Sequence, residues 1–477
     1  MEVRAERIGE STVGLHSREE RSVTPRYFVS ICALITAALS TPARAQGVPK
    51  LQFEKLTLPN GLQVILHEDH STPIVVANTW YHVGSGDERP GRTGFAHLFE
   101  HLMFMGSQNV PQGQFDKWLE AAGADNNGST TFDRTNYYEQ LPSNALPLAL
   151  WLDADRMGRL LPVMDQAKLD LQRDVVKNER RQRIDNVPYG RASETIWAAL
   201  FPAGHPYHWP PIGSMVDLSA ASLEDVKQFF RTYYAPNNAT LVIAGDFQRD
   251  SAVAWVNRYF GGIARGPDVP APPPVPAVTV PRDTFIVLED KVTLPRLYET
   301  WHSVKIFHPD DAVLDVLADV LAGDKNSRLY KRLVFDMQVA QDVNAAQASL
   351  RRDGFFQITV TPKPGQTPSR MAALVEEEIG KIVHDGVTPR ELARSLNSRR
   401  ASFLDQIASV LGKADRLASY DYDAGTPDYV QQDLARYERV TAADVQRVAA
   451  SYLNRPKVVL TVVPEGKRQL MVSGGAK

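Results

Sequence analysis

The sequence predicts an α+β chain made of two similar halves, each a mostly antiparallel sheet packed with helices, and three observations carry that prediction. First, the stretch RGPDVPAPPPVPAVTVPRDT at 265–284 separates two segments of comparable length. Its prolines favour extended backbone and offer few amide donors to a sheet, so it reads as a linker. Second, the segments end alike. Ser222-Leu-Glu-Asp-Val226, Phe229, Tyr233 and the run Thr240 to Ala244 recur as Thr441-Ala-Ala-Asp-Val445, Val448, Tyr452 and Val459 to Val463; 441 minus 222 and 452 minus 233 both give 219. In each copy a Ser or Thr N-cap opens an amphipathic helix, and a β-branched run follows as a buried strand. Third, 477 residues with 43% hydrophobic and 23% charged side chains have the balance of folded domains, not of a disordered or integral membrane chain. Lys and Arg total 53 against 56 Asp and Glu, a net charge of −3, which makes no electrostatic case for nucleic acid or an anionic membrane surface.

In chain order, the first element is an export signal over residues 1–45. The apolar stretch YFVSICALITAALST at 27–41 follows Arg21 and Arg26 and precedes Ala43-Arg44-Ala45, which puts small residues where a signal peptidase reads. The stretch is shorter than the roughly 20 residues of a membrane span. Cleavage after Ala45 is expected, with retention as an N-terminal anchor as the alternative. The mature protein is then exported, and periplasmic if its source is Gram-negative. Cys32, the only cysteine, lies in this segment, so the mature chain forms no disulfide.

The first half is expected to span 46–264. Phe53 to Leu66 is two alternating runs around Asn60-Gly61, a hairpin signal, and Ile74 to Tyr81 continues as a third strand. Helical patterns then run from Thr93 to about Ile184. They are broken at Asp125 to Tyr138, which is polar, Thr- and Tyr-rich and strand-like after its Gly, as an exposed edge strand would be. The second half is expected at 285–468, with 469–477 as a flexible tail.

The richest stretch is Gly94-Phe-Ala-His97-Leu-Phe-Glu100-His101-Leu-Met-Phe-Met-Gly106. On a helix, residues four apart share a face, so His97 and His101 can reach one ion with Glu100 beside them. Imidazole and carboxylate suit zinc, and a hydrolytic site uses three protein ligands with the fourth position left to water. The helix expected over Asp165 to Ile184 offers Glu179, with Leu171, Val175 and Val176 as its apolar face; alone, that Glu reads as a solvated helix residue. His205 and His208, in a Pro-containing loop, read as structural or surface residues in preference to ligands.

His97-Leu-Phe-Glu100-His101, followed after 77 residues by Glu179 in Asn178-Glu179-Arg180, resembles the inverted zincin signature of the pitrilysin or insulinase family of zinc metallopeptidases, in its two-domain, processing-peptidase-like bacterial form. The resemblance extends over nearly the whole mature chain. It implies two homologous α+β domains that close as a clamshell around a peptide, with one Zn2+ per chain held by His97, His101 and Glu179. Glu100 becomes the general base, acting on a metal-activated water. Asn126, Asn127, Gly128, Ser129 and Thr130 match the family's substrate-binding edge strand, to which an extended peptide adds by main-chain hydrogen bonds. The implied function is a zinc metalloendopeptidase acting on peptides or unfolded polypeptides; the alternative is a non-catalytic or structural subunit of a larger assembly.

The departures concern support and partnership. Gln172 stands where family members often carry a second Glu. The family's Arg and Tyr, seven residues apart in the second half, are replaced by Val334 and Gln341, with Arg328 and Tyr330 nearby as candidate substitutes for substrate or oxyanion binding. Anchoring Gly106 on Gly323, an offset of 217, sets Leu314, Leu317 and Ala318 opposite His97, Glu100 and His101, so the second half lacks metal ligands. A homologous partner lacking His-x-x-Glu-His is therefore expected to complete the site in a heterodimer, with a homodimer using Arg328 and Tyr330 as the alternative.

Overall fold

The computed structural model describes residues 50–272 and 274–473, so the export segment and Cys32 lie outside the described residues. Eleven strands form two sheets among the described residues. The first sheet contains β1 (Glu54–Thr57), β2 (Gln63–Glu68), β3 (Ile74–Tyr81), β4 (Asp125–Thr130), β5 (Thr135–Pro142) and β6 (Ala239–Gly245), in the order β1-β2-β6-β3-β5-β4. The second contains β7 (Thr284–Asp290), β8 (Arg296–His302), β9 (Ala340–Ser349), β10 (Gly354–Pro362) and β11 (Val458–Pro464), in the order β7-β11-β8-β10-β9.

Local chemistry accounts for the boundaries. The β1–β2 hairpin turns at Gly61, whose φ of 93° is open to glycine at little cost, while Asn60 Nδ2 donates to the carbonyls of Phe260 and Ile263. β6 is buried at all seven positions because it runs between β2 and β3 and is covered on both faces. Each sheet has one parallel pair, β2 with β6 and β7 with β11, at corresponding places; the remaining pairings are antiparallel. The repeated helix starts are alike as well. Ser222 opens Leu223–Tyr233 and Thr441 opens Ala442–Val448, each in a capping box whose third helical residue is Asp225 or Asp444. The described residues among 264–283, between the halves, form neither helix nor strand.

The halves are not self-contained. Helix Ala192–Leu200 of the first half packs on β8 and β11, burying Ala192 and Ile196 with Tyr298, Leu460 and Val462. Helix Val410–Ala424 of the second half lies on β2, β3 and β6, where Lys55 pairs with Asp421, Lys413 with Asp69, and Asn78 Nδ2 donates to Asp415 at 3.4 Å. The exchange crosses the expected division into 46–264 and 285–468. The hairpin turns also meet: Arg351 N and Tyr207 Oη donate to Asp133, Arg352 pairs with Asp87, and Asp353 accepts from buried His205 and from His302. Within the expected tail, Val472 is buried against the second core and its amide donates to Thr461 Oγ1.

His82 lies where the exchanged helix crosses the first sheet. Its ring stacks on Tyr422 at 4.4 Å between centres, with Nε2 3.1 Å from Thr240 Oγ1. Burial, with Arg351 and Lys55 adding to it, holds its pKa down to about 3. In the unfolded chain it titrates near 6.5, so between these values the unfolded state binds the extra proton and stability falls as pH falls. Unfolding midpoints measured from pH 7 down to 4 are expected to decline in the wild type and less steeply in His82→Gln. Equal slopes would clear His82 of that role.

Behind β5, Arg156 is buried with Asp153 and Glu139, its guanidinium lying 4.6 Å from the Tyr137 and Phe115 ring centres. Thr79 Oγ1 donates to Asp153 at 2.6 Å, so the cluster ties β3, β5 and helix Leu146–Arg159 together.

Candidate metal centre

Helix Phe95–Leu102 starts after Gly94, whose φ is 89°. The carboxylate of Glu88 accepts from Gly94 N at 2.9 Å and Ala96 N at 2.8 Å, filling amide positions that have no partner within the helix. Phe95, Ala96, Leu98, Phe99 and Leu102 are buried, with Phe99 stacked on Phe229. This seating leaves His97, Glu100 and His101 on the open side, facing helix Gln166–Arg180 and β4.

Glu179 reaches the histidines from helix Gln166–Arg180. The apolar face expected there is corrected: Leu171 is 48% exposed and Val175 39%, whereas Leu169, Val176 and Arg180 are buried. The rotation is set largely by cations. Arg180 donates to Gly213 O and pairs with Glu194, and Arg173 donates to Ala221 O, so the seam is partly polar and Glu179 turns inward. Glu179 Oε2 lies 3.1 Å from His101 Nε2 and 3.6 Å from His97 Nε2, and Oε1 is 2.5 Å from Arg183. One ligand atom from each of His97, His101 and Glu179 lies within 4.8 Å of the others.

The donor set fits zinc: two imidazoles and a carboxylate, half-buried, with the second carboxylate oxygen held by an Arg. Burial and the neighbouring His101 push the His97 pKa down to about 4, so the ring is neutral and able to ligate at pH 7. The hydrogen bond from His101 keeps the Glu179 carboxyl below its usual range despite burial. Burial raises that of Glu100, and a 2.6 Å hydrogen bond from Thr130 Oγ1 opposes the rise.

β4 is the edge strand of its sheet, paired with β5 on one side. Asn126 Nδ2 donates to Asp116 at 3.0 Å, and Ser129 Oγ to Asn136 at 2.6 Å. Thr130 and Gly128 face Glu100. A cavity of about 270 Å³ opens beside them, lined by Glu100, His101, Phe104, Asp116, Asn126 and Asn127. Arg134, lying over Trp80 and donating to Ser129 O and Asn136 Oδ1, steadies the hairpin; neither Arg134 nor Asp116 stood out in the sequence, because their roles depend on pairing register.

Other expected residues lie elsewhere. Arg328 and Tyr330 do not join the cluster: both Nε and Nη2 of Arg328 are bound by Glu391, at 2.7 and 2.9 Å, Nη2 also donates to Gly386 O, and Tyr330 packs against the second core. Val334 packs there too, and Gln341 is exposed. Gln172 touches Met105. His208 Nδ1 lies 2.7 Å from Phe201 O, and His205 is engaged with Asp353. Leu314, Leu317 and Ala318 are buried in helix Asp311–Ala322.

Residues 63–201 match the model of the insulinase family, peptidase family M16, and residues 220–399 match that of the M16 inactive domain. The chain belongs to the insulinase, or pitrilysin, family of zinc proteases. Within this M16 family it is similar to the zinc protease PqqE of Helicobacter pylori, 29% identical over 89% of this chain and 95% of that one. It is also similar to the uncharacterized zinc protease Rv2782c of Mycobacterium tuberculosis, 26% identical over 90% and 97%. Among solved structures, a protease from Helicobacter pylori matches with a TM-score of 0.80 and 27% identity, covering 87% of this chain and all of that one. The first half of the periplasmic protease PqqL from Escherichia coli shares the fold, with a TM-score of 0.72 at 19% identity, covering 89% and 95%. The first of the two M16 models covers His97, His101 and Glu179, and the second covers Leu314, Leu317 and Ala318, which are buried.

Proposed function

We propose that this M16 protein is a zinc-dependent endopeptidase, one Zn2+ per chain, that hydrolyses peptides or unfolded polypeptides. The observation that carries the reading is the convergence of His97, His101 and Glu179 with Glu100 beside them. Zinc bound by these three residues supplies Lewis-acid polarisation of the scissile carbonyl and a lowered pKa for water. Glu100 takes the proton from the attacking water as its oxygen bonds to the carbonyl carbon, and delivers it to the amine nitrogen as the C–N bond breaks. The open edge of β4 binds the substrate as an added strand, which reads backbone more than side chains and keeps selectivity loose.

The charged start, apolar core and Ala43-Arg44-Ala45 site support export, with periplasmic residence in a Gram-negative source. No helix among the described residues is long and apolar enough to cross a membrane. Because Glu391 occupies Arg328, and Val334 and Gln341 offer no charge, a homologous partner without His-x-x-Glu-His is the favoured source of the missing cation and phenol, as a heterodimer. A relative at 22% identity bears the name of a mitochondrial-processing peptidase subunit beta, from Arabidopsis thaliana.

The test is metal analysis of the purified mature chain with hydrolysis of casein or an unstructured fluorogenic peptide, alone and with any co-purifying partner. One zinc per chain and hydrolysis that stops on chelation are expected, with turnover raised by the partner. Absence of zinc, or hydrolysis that survives chelation, would overturn the peptidase reading. Full turnover by the chain alone, lost in Arg328→Ala, would replace the heterodimer with the homodimer.

A further inference from the structure

We infer that Thr130 is a positioning residue for the hydrolytic base: its hydroxyl ties one oxygen of Glu100 to the edge strand, in space that Gly128 leaves open. The inference rests on the peptidase reading above. Residues 128 and 130 share one face of β4, the face toward helix Phe95–Leu102. Thr130 Oγ1 donates to Glu100 Oε2 at 2.6 Å, the short distance of a hydroxyl bonded to a carboxylate. A Cβ on Gly128 would lie 2.9 Å from Glu100 Cγ and 3.3 Å from Tyr137 Cδ1, so a larger residue pushes the carboxylate off its seat.

Occupying Oε2 assigns the two oxygens different tasks. Oε2 anchors, and Oε1 is left to accept the proton of water. The anchor is stiff, because a β-branched side chain has few χ1 choices and Thr130 pairs in register with Thr135. The turn beyond it is closed by Thr131 N donating to Arg134 O at 2.9 Å, and Arg134 donates back to Ser129 O at 2.9 Å. The strand proposed to receive the substrate therefore also holds the base.

The experiment compares Thr130→Val, Thr130→Ser and Gly128→Ala with wild type in zinc content, kcat and KM on an unstructured fluorogenic peptide, and takes a crystal structure of zinc-loaded Thr130→Val. Thr130→Val is expected to keep one zinc per chain, change KM by no more than about twofold and lose about ten- to hundredfold in kcat, the effect of removing a hydrogen bond to a charged group. Thr130→Ser should recover most of that loss, and Gly128→Ala should lower kcat. The Glu100 carboxylate in Thr130→Val should turn away from β4. Wild-type kcat in Thr130→Val, or Thr130→Ser as slow as Thr130→Val, would overturn the inference. A zinc-loaded wild type without hydrolysis even alongside its co-purifying partner would defeat the peptidase reading instead; an unmoved Glu100 carboxylate in the Thr130→Val crystal would then still overturn the positioning role.

Discussion

Glu100→Gln is expected to retain one zinc per chain while losing about 10²- to 10⁴-fold in peptide hydrolysis, the usual contribution of a positioned general base. The variant separates the metal from the proton. Glu100 is not among the three converging ligand residues, so the metal has no reason to leave. The amide has nearly the same shape and its carbonyl oxygen still accepts from Thr130, but it cannot take a proton from water. Replacing His97, His101 or Glu179 by Ala is expected to do the reverse and strip the zinc, because each removes one of three protein ligands. Metal analysis and a fluorogenic peptide assay decide it. Undiminished hydrolysis in Glu100→Gln would sink the assignment of the base, and stoichiometric zinc in all three ligand variants would move the site elsewhere.

The largest expected effect on stability is at Arg156. Its guanidinium is 2% exposed and compensates the carboxylates of Asp153 and Glu139, at 1% and fully buried. Burial and the nearby Asp153 already push the Glu139 carboxyl well above its usual range. Arg156→Met keeps much of the volume but leaves two acids facing each other away from water. The cost of breaking a buried ion pair from one side is about 3–5 kcal/mol. Urea unfolding should show a lower midpoint with an unchanged slope. Glu139→Gln should cost less, since it removes one of the two acids and retains an acceptor for the cation. A loss under about 1 kcal/mol in Arg156→Met would show that the cluster relaxes or hydrates without its cation.

What could be read from the residues and what could not divides along chain distance. The Asn60-Gly61 turn, β3 and the paired Ser222 and Thr441 helix starts are local patterns, and each forms where its own neighbours require. The His97, Glu100 and His101 spacing is local too, since helix geometry alone puts the three on one side. Glu179 had no local signal; a known family motif supplied it. The orientation of its helix was misread because apolar periodicity favoured Leu171 and Val175, whereas buried Arg180 and the Arg173 contact set the rotation. The surroundings of Arg328 were hidden for a similar reason: nothing within a few residues of it reveals that Glu391 pairs with its guanidinium. The contact of Thr130 with Glu100 was hidden by strand alternation, which tells neighbouring positions apart without saying which face meets the helix.

The exchanged helices bear on how the chain is made. Synthesis runs from the N-terminus, so the first sheet is complete in strands once β6 has appeared, yet the face that Val410–Ala424 covers stays bare until most of the second half has followed. Contacts so far apart in sequence close late and slowly. Until then Lys55, Asp69 and Asn78 lack partners from that helix, and the exposed sheet is open to wrong pairings. The exchange therefore ties completion of the first half to the arrival of the second, so that neither face is fully covered until both halves are present.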